Sequence, residues 1–285
     1  MKIKYWGTGA AEGVPGIFCS CEVCKHAREV GGRNIRTRSQ LCVDDTFLID
    51  FGADTNSNSL KYGFDMSKLH TVLITHTHGD HYYPMELLNR RIGFAHGEEI
   101  DIPLTIYGSA GIEEVFYTTI DEPARYLIDQ NRVNFKFFKA GERYVIEGYE
   151  VFVLPANHGT YNPLVYIIRK DGKAFAYFND TGYPRKEFFE MLEKFKNEYN
   201  LHLDLVSYDC TAGKINWGYE ASHMGIEHNL ELREKLSQMG VTDDKTVHIL
   251  HHFTHNQAGG NYDEFSVFAK GYDFDISYDG LEIEL

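Results

Sequence analysis

The segment Thr71-Val-Leu-Ile-Thr-His76-Thr-His78-Gly-Asp80-His81 constrains this chain more than any other. A short apolar run, patterned like a buried strand, ends in four potential metal ligands within six residues. Alternate side chains of an extended chain share a face, so His76 and His78 point the same way and both imidazoles can reach one ion. Gly79 is expected to permit a sharp change of direction, which turns Asp80 and His81 toward a second ion. One strand end therefore supplies parts of two sites. A surface loop that happens to be rich in histidine is the plain alternative. It does not account for ligands this dense directly after a buried run.

Two ions need more than four ligands, and the ends of later β-like runs provide candidates. His158 follows Val153-Leu-Pro-Ala-Asn157, Asp180 follows Ala174-Phe-Ala-Tyr-Phe-Asn179, and His251 and His252 follow Val247-His-Ile-Leu250. Neighbouring side chains of a strand point oppositely, so only one of His251 and His252 can face the site. The strand pattern leaves open which.

The chain has five cysteines. Cys19, Cys21 and Cys24 sit together, a spacing that suggests a metal rather than a disulfide framework. Cys42 and Cys210 stand apart and read as small core residues.

At 285 residues, with 43% hydrophobic and 25% charged positions, the chain has the composition of a folded protein. It shows no repeat, linker or low-complexity tract, so one domain over residues 1–285 is the simplest organisation. β-rich runs recur in both halves: 2–6, 41–51, 71–75, 104–107, 134–138, 144–154, 164–169, 174–178, 203–208, 247–250 and 274–278. Helical patterns fall between them. The clearest runs from about Pro184 to Tyr199, and another is expected to begin near the N-cap candidate Ser222. Strands followed by helices in each half favour an α/β class with two facing sheets and helices outside, an αββα four-layer sandwich. No run approaches the ~18 apolar residues of a membrane span, and the start lacks a secretory apolar core, so a cytoplasmic location is expected.

The formal charge is −14, from 28 Lys and Arg against 42 Asp and Glu. That balance repels polyphosphate backbones and argues against a nucleic-acid partner. A small anionic substrate stays compatible, because bound metals would supply local positive charge.

The ligand order resembles the metallo-β-lactamase fold superfamily of hydrolases: His-x-His-x-Asp-His, then His158, Asp180 and a late histidine. The resemblance implies that His76, His78 and His158 hold one metal, Asp80, His81 and His252 the other, and Asp180 both. It matches Asp50, in Leu48-Ile-Asp50-Phe-Gly52, to the acidic residue that orients ligands from behind. The N-terminal Gly7-Thr-Gly-Ala-Ala-Glu-Gly-Val-Pro15 followed by Cys19-Ser-Cys21-Glu-Val-Cys24 is similar to the phosphonate-pathway cyclic phosphodiesterases, which act on phosphoribosyl 1,2-cyclic phosphate. It implies a separate structural zinc held by Cys19, Cys21, Cys24 and His255. The spacing in His252-Phe-Thr-His255 is what selects His252 over His251.

The same resemblance aligns His223 with a histidine that contacts substrate, as general acid or phosphate ligand. Asp80 and His223 are thus the candidate catalytic residues, and Asp209 is a candidate partner for His223 or an ordinary turn residue. His26, His70, His96, His202, His228 and His248 read as structural or surface residues. The segments 86–102, 159–163 and 214–219 are candidates for shaping a substrate pocket.

The expected chemistry is hydrolysis of a small, cyclic, sugar-linked phosphodiester by a metal-bridging hydroxide. It would use two divalent ions, zinc or manganese, and no Ser or Cys nucleophile. A homodimer is compatible with the resemblance. The alternatives are another hydrolase of the superfamily (tRNA 3′-processing ribonuclease, lactonase or thioesterase) or a non-catalytic accessory protein of cofactor biosynthesis. A pyrroloquinoline-quinone biosynthesis protein shares the Cys-x-Cys-x-x-Cys site.

Overall fold

The computed structural model describes residues 1–256 and 260–285. The chain lays down one sheet, then a second, and returns to the first. Strands β1 (Lys2–Gly7), β2 (Gln40–Val43), β3 (Phe47–Ile49), β4 (Thr71–Leu73), β5 (Leu104–Gly108) and β6 (Val133–Phe137) form the first sheet. Strands β7 (Arg143–Ile146), β8 (Tyr149–Pro155), β9 (Leu164–Lys170), β10 (Lys173–Phe178), β11 (Leu205–Asp209), β12 (Val247–His251) and β13 (Asp275–Ile276) form the second. β14 (Glu282–Glu284) crosses back to pair antiparallel with β1, which ties the C-terminal segment to the first strand.

Alternation along the strands sets the layers. In β10, Phe175 and Tyr177 face the other sheet, where they pack with Tyr5, Leu41, Ile49, Tyr166 and Leu205. The intervening Ala174, Ala176 and Phe178 face outward. There they meet α5 (Lys186–Tyr199), α6 (Ile226–Gln238) and α7 (Tyr262–Lys270) through Phe188, Leu192, Leu232, Leu236 and Phe265. The first sheet repeats the pattern. Its outer face carries Leu48, Val72 and Ile106. Among α1 (Glu22–Val30), α2 (Thr55–Tyr62), α3 (Gly111–Ile120) and α4 (Glu122–Asp129), the last two cover that face with Ile112, Phe116, Ala124 and Leu127. Three apolar layers between four structural ones give the αββα sandwich. No helix among the described residues is long and apolar enough to cross a membrane.

Three local expectations are corrected. The run 41–51 is a hairpin rather than one strand, because Asp44 and Asp45 both take positive φ and reverse the chain. The run 144–154 is split in the same way at Glu147-Gly148. The helix expected near Ser222 starts at Ile226, with Gly225 as its N-cap residue. The Asp209 carboxylate accepts the Met224 amide at 2.9 Å and faces His223 Nδ1 at 3.1 Å, holding this stretch against the end of β11 in a non-helical course.

Candidate metal centre and cleft

Side chains from the C-terminal ends of strands in both sheets converge on one edge of the sandwich. His76 and His78 follow β4, Asp80 and His81 lie in the next turn, and His158, Asp180 and His252 follow β8, β10 and β12. One ligand-type atom from each of His76, His78, His158 and Asp180 lies within 4.8 Å of the others. The same holds for Asp80, His81, Asp180 and His252, and for Asp180, Asp209, His223 and His252, so Asp180 belongs to all three groups. Asp180 Oδ2 is 3.1 Å from His76 Nε2 and from His81 Nε2.

Backbone geometry at these strand ends is unusual. Asp50, Asp180 and His252 take φ of 69°, 49° and 61°, a left-handed region that non-glycine residues enter at a cost and that clusters at functional sites. At His252 this turn resolves the ambiguity of the paired histidines. His251 points between the sheets, where its ring meets Tyr177 Oη at 3.1 Å and Ser277 Oγ at 2.9 Å. His252 faces the cluster. Gly79, expected to make the turn after His78, has no positive φ and has open space where a Cβ would be. The glycine the site needs is Gly52, since a Cβ there would collide with the Asp80 carbonyl oxygen.

Three of the five imidazoles, those of His81, His252 and His158, are oriented from behind. Asp50, fully buried, meets His81 Nδ1 at 2.7 Å with Oδ2 and accepts the Thr75 amide and hydroxyl at 2.8 Å with Oδ1. Thr211 Oγ1 meets His252 Nδ1 at 2.7 Å, and the Ser222 carbonyl lies 3.2 Å from His158 Nδ1. Fixing one ring nitrogen sets the direction of the other.

The protein's own charges are mutually adjusted here. Burial works to raise the Asp180 carboxyl, but His252, His76 and His81 hold it well below the usual carboxylate range. Burial lowers His76 and His158. His223 goes the other way: burial opposes its charge, yet Asp209 and Asp180 push it up to about 9. A metal would fit this donor set. His81 Nε2, His252 Nε2 and Asp180 Oδ1 are buried without a hydrogen-bond partner among the described residues, although carboxylate oxygens lie 3.1 Å from His81 Nε2 and His223 Nδ1 lies 3.1 Å from Asp180 Oδ1. Buried nitrogen and oxygen atoms gathered this closely, three of them without a hydrogen bond, suit a metal ion as their common partner.

A cleft of about 300 Å³ opens over the cluster. Of the expected residues, His78, Asp80, His158, Asp180, His223 and His252 line it. Trp217 comes from the segment 214–219, and its ring is 6.3 Å from the His223 ring. The segment 86–102 does not reach this cleft. Its Glu86, Leu87, Arg90 and Ile100 line a separate cavity against Phe51 and Leu69, because the short helical turns after Pro84 pack on the outer side of the first sheet. No residue of 159–163 is among the cleft's lining residues. The sequence reading missed Glu12, Thr211, Thr254 and Asn256, which reach the cleft from loops whose meeting only the fold creates.

The second cluster lies beside it. Cys19 Sγ and Cys21 Sγ are each 3.6 Å from His255 Nδ1, and all four ligand-type atoms, Cys24 included, lie within 4.8 Å of one another. Bonds of ~2.3 Å to sulfur and ~2.1 Å to nitrogen at a tetrahedral angle imply an S···N edge of ~3.6 Å, so zinc fits. All five cysteines are free thiols, and Cys42 and Cys210 are buried in the core. Gly16 allows the loop to close, since a Cβ there would press on His255 Nε2 at 2.7 Å.

Residues 46–253 match the beta-lactamase superfamily domain, and the chain belongs to that family. Its architecture is the metallo-β-lactamase fold. A Ribonuclease Z of Listeria innocua is 29% identical over 174 residues, 60% of this chain and 50% of that protein. The chain thus spans about half the length of the curated relatives it matches. Among solved structures, a diphosphatase of the PhnP family superposes with a TM-score of 0.74 at 20% identity, covering 100% of this chain and 97% of that one. Zinc-bound PqqB from Methylobacterium extorquens gives a TM-score of 0.75 at 16% identity, with 100% of both chains covered. At these identities the likeness is one of fold.

Proposed function

We propose that this protein is a binuclear metal-dependent phosphodiesterase acting on a small diester of the cyclic, sugar-linked kind, with residues 1–285 as one catalytic domain. The observation that carries the reading is that two four-donor groups, one completed by His76, His78 and His158 and one by Asp80, His81 and His252, join at Asp180, with three buried atoms of these residues left without hydrogen bonds among the described residues. His76, His78 and His158 would hold one ion, Asp80, His81 and His252 the other, and Asp180 both. Zinc or manganese suits such mixed nitrogen and oxygen ligands. When bound, a pair of divalent ions neutralises charge on the phosphoryl oxygens and makes water acidic enough to ionise near neutral pH. Cys19, Cys21, Cys24 and His255 would hold a third ion, a structural zinc.

The chain's own residues supply the rest. Asp50 fixes the His81 ring, and Thr211 fixes His252, so the donor set is in place before substrate arrives. His223 Nδ1 faces Asp209 Oδ2 at 3.1 Å, which leaves Nε2 as the atom that can hold a proton toward the cleft and pass it to a departing alkoxide. The cleft's about 300 Å³ is at the small end of ligand sites and supports a small substrate.

One observation favours a second reading, RNA cleavage: the curated relatives are Ribonuclease Z proteins. The charge of −14 counts against it. The test is hydrolysis of a chromogenic phosphodiester and of a 3′-extended RNA by protein loaded separately with manganese and zinc. Turnover of the small diester, lost in Asp80→Ala, is the expected result. Cleavage of the RNA alone would move the assignment to the second reading, and turnover of neither with either metal would overturn both.

A further inference from the structure

The phosphodiesterase reading concerns phosphorus and says little about the alcohol the substrate carries. Glu12 bears on that. It lies in the loop after β1 and lines the same cleft as His78, Asp80 and His223, with its side chain 31% exposed. Its Oε1 is held by the Thr254 hydroxyl and by Asn256 Nδ2 at 2.9 Å, and it lies 3.6 Å from His255 Nε2. Both hydrogen bonds that Glu12 accepts from described residues end on this one oxygen, so the carboxylate is fixed in place while Oε2 takes none from the described residues.

A fixed carboxylate in a cleft for an anion needs a reason. No Lys or Arg is among the cleft's described lining residues to neutralise it, and it repels any phosphoryl oxygen nearby. Such a group is favourable where the ligand presents hydrogen-bond donors, and hydroxyls give carboxylates short, strong hydrogen bonds. Trp217, 42% exposed on the same cleft, offers a flat apolar face for the ring that would carry those hydroxyls.

We propose, resting on the phosphodiesterase reading, that Glu12 is a specificity-determining residue whose Oε2 accepts hydrogen bonds from sugar hydroxyls of the substrate. The protein thereby selects diesters of polyhydroxylated alcohols over those without hydroxyls. The test compares the p-nitrophenyl ester of uridine 5′-phosphate with its 2′,3′-dideoxy analogue, which has the same charge and leaving group. Manganese-loaded wild type is expected to favour the ribose form by about tenfold to a hundredfold in kcat/KM, the range for a hydrogen bond to a charged acceptor. Glu12→Gln keeps the acceptor that Thr254 and Asn256 use and converts the free oxygen to a donor. It should cut the preference by about tenfold, and Glu12→Ala should do the same.

Calorimetric binding of uridine 5′-phosphate and its dideoxy counterpart supplies a readout that needs no turnover, with the same preference expected. A preference in either assay that both variants retain overturns the role of Glu12 and leaves the hydrolase reading standing. Wild type that does not discriminate overturns it as well. Absence of turnover with a Glu12-dependent binding preference keeps the hydroxyl site, and the hydrolase reading then stands or falls on the chromogenic diester and RNA assay with both metals.

Discussion

The two ligand clusters approach within three residues of each other at His252 and His255, yet they are built in opposite ways. The histidine and carboxylate cluster draws on strand ends of both sheets, and its rings are braced from behind by Asp50, Thr211 and the Ser222 carbonyl. Its cleft stays open. The cysteine cluster is a local loop closed on one distant residue, His255. Its sulfurs accept the backbone amides of Gly16 and Cys21, and Arg28 pins the loop through the carbonyls of Cys19 and Gly16. The first cluster is carried by a scaffold that exists without it, whereas the second is the scaffold for its own loop. Losing a ligand should therefore damage chemistry in one and stability in the other.

The sharpest test of that contrast is Asp80→Ala. It deletes a donor of one group only, on a turn held by the Phe51 amide to the His81 carbonyl at 2.7 Å. Turnover should fall on the order of 10³-fold while the melting temperature moves by only a few degrees. Full turnover in this variant would end the two-metal reading, and global unfolding would end the idea of an independent scaffold.

His223→Ala comes next, with an expected loss of ~10²-fold. His223 is outside both proposed ligand sets, so metal content measured by mass spectrometry should be unchanged. Proton donation matters more for a poor leaving group, and the loss should therefore be larger for an alkyl diester than for a p-nitrophenyl one. Equal losses on both would reduce His223 to a binding residue.

Cys21→Ala probes the other side. One equivalent of zinc should be lost and the melting temperature should drop on the order of 5–10 °C, with kcat within a few-fold of wild type. Unchanged zinc content and melting temperature would remove the structural-zinc assignment. A collapse of kcat without a stability change would show that the clusters are not separable.

The contrast also explains what could be read from sequence. His76, His78, Asp80 and His81 were legible because one strand and one turn carry all four, and the cysteines because they fall within six residues. The fold class followed from alternation, as in β10, where Phe175 and Tyr177 face one layer and Ala174, Ala176 and Phe178 the other. What was lost depended on conformations that residue type does not announce. Asp44 and Asp45 adopt positive φ without a glycine, and the left-handed backbone at His252 is why the strand pattern by itself did not choose between His251 and His252, a choice that came from the spacing to His255. Glu12 was invisible for another reason: it reaches the cleft only because its loop meets Thr254 and Asn256, more than 240 positions away.

The smallest expected effect concerns β12, the strand that delivers His252 to one cluster and leads to His255 in the other. His248 on this strand meets Tyr208 Oη at 2.8 Å and faces Phe274 and Arg233. Burial, reinforced by Arg233, pushes its pKa down to about 4. An unfolded chain would take up this proton near pH ~6.5, so between that value and about 4 the unfolded state binds a proton that the folded state does not. Stability should therefore fall as the pH drops through this window, with no further loss from this group below it. The ring is partly exposed, which screens the contribution to roughly 1–2 kcal/mol. Denaturant titrations of wild type and His248→Asn at pH 7 and pH 4.5 measure it, and the variant should lose less stability on acidification. If the two curves stay parallel, His248 does not carry the acid sensitivity of β12, and any pH effect shared by the two clusters must arise within them.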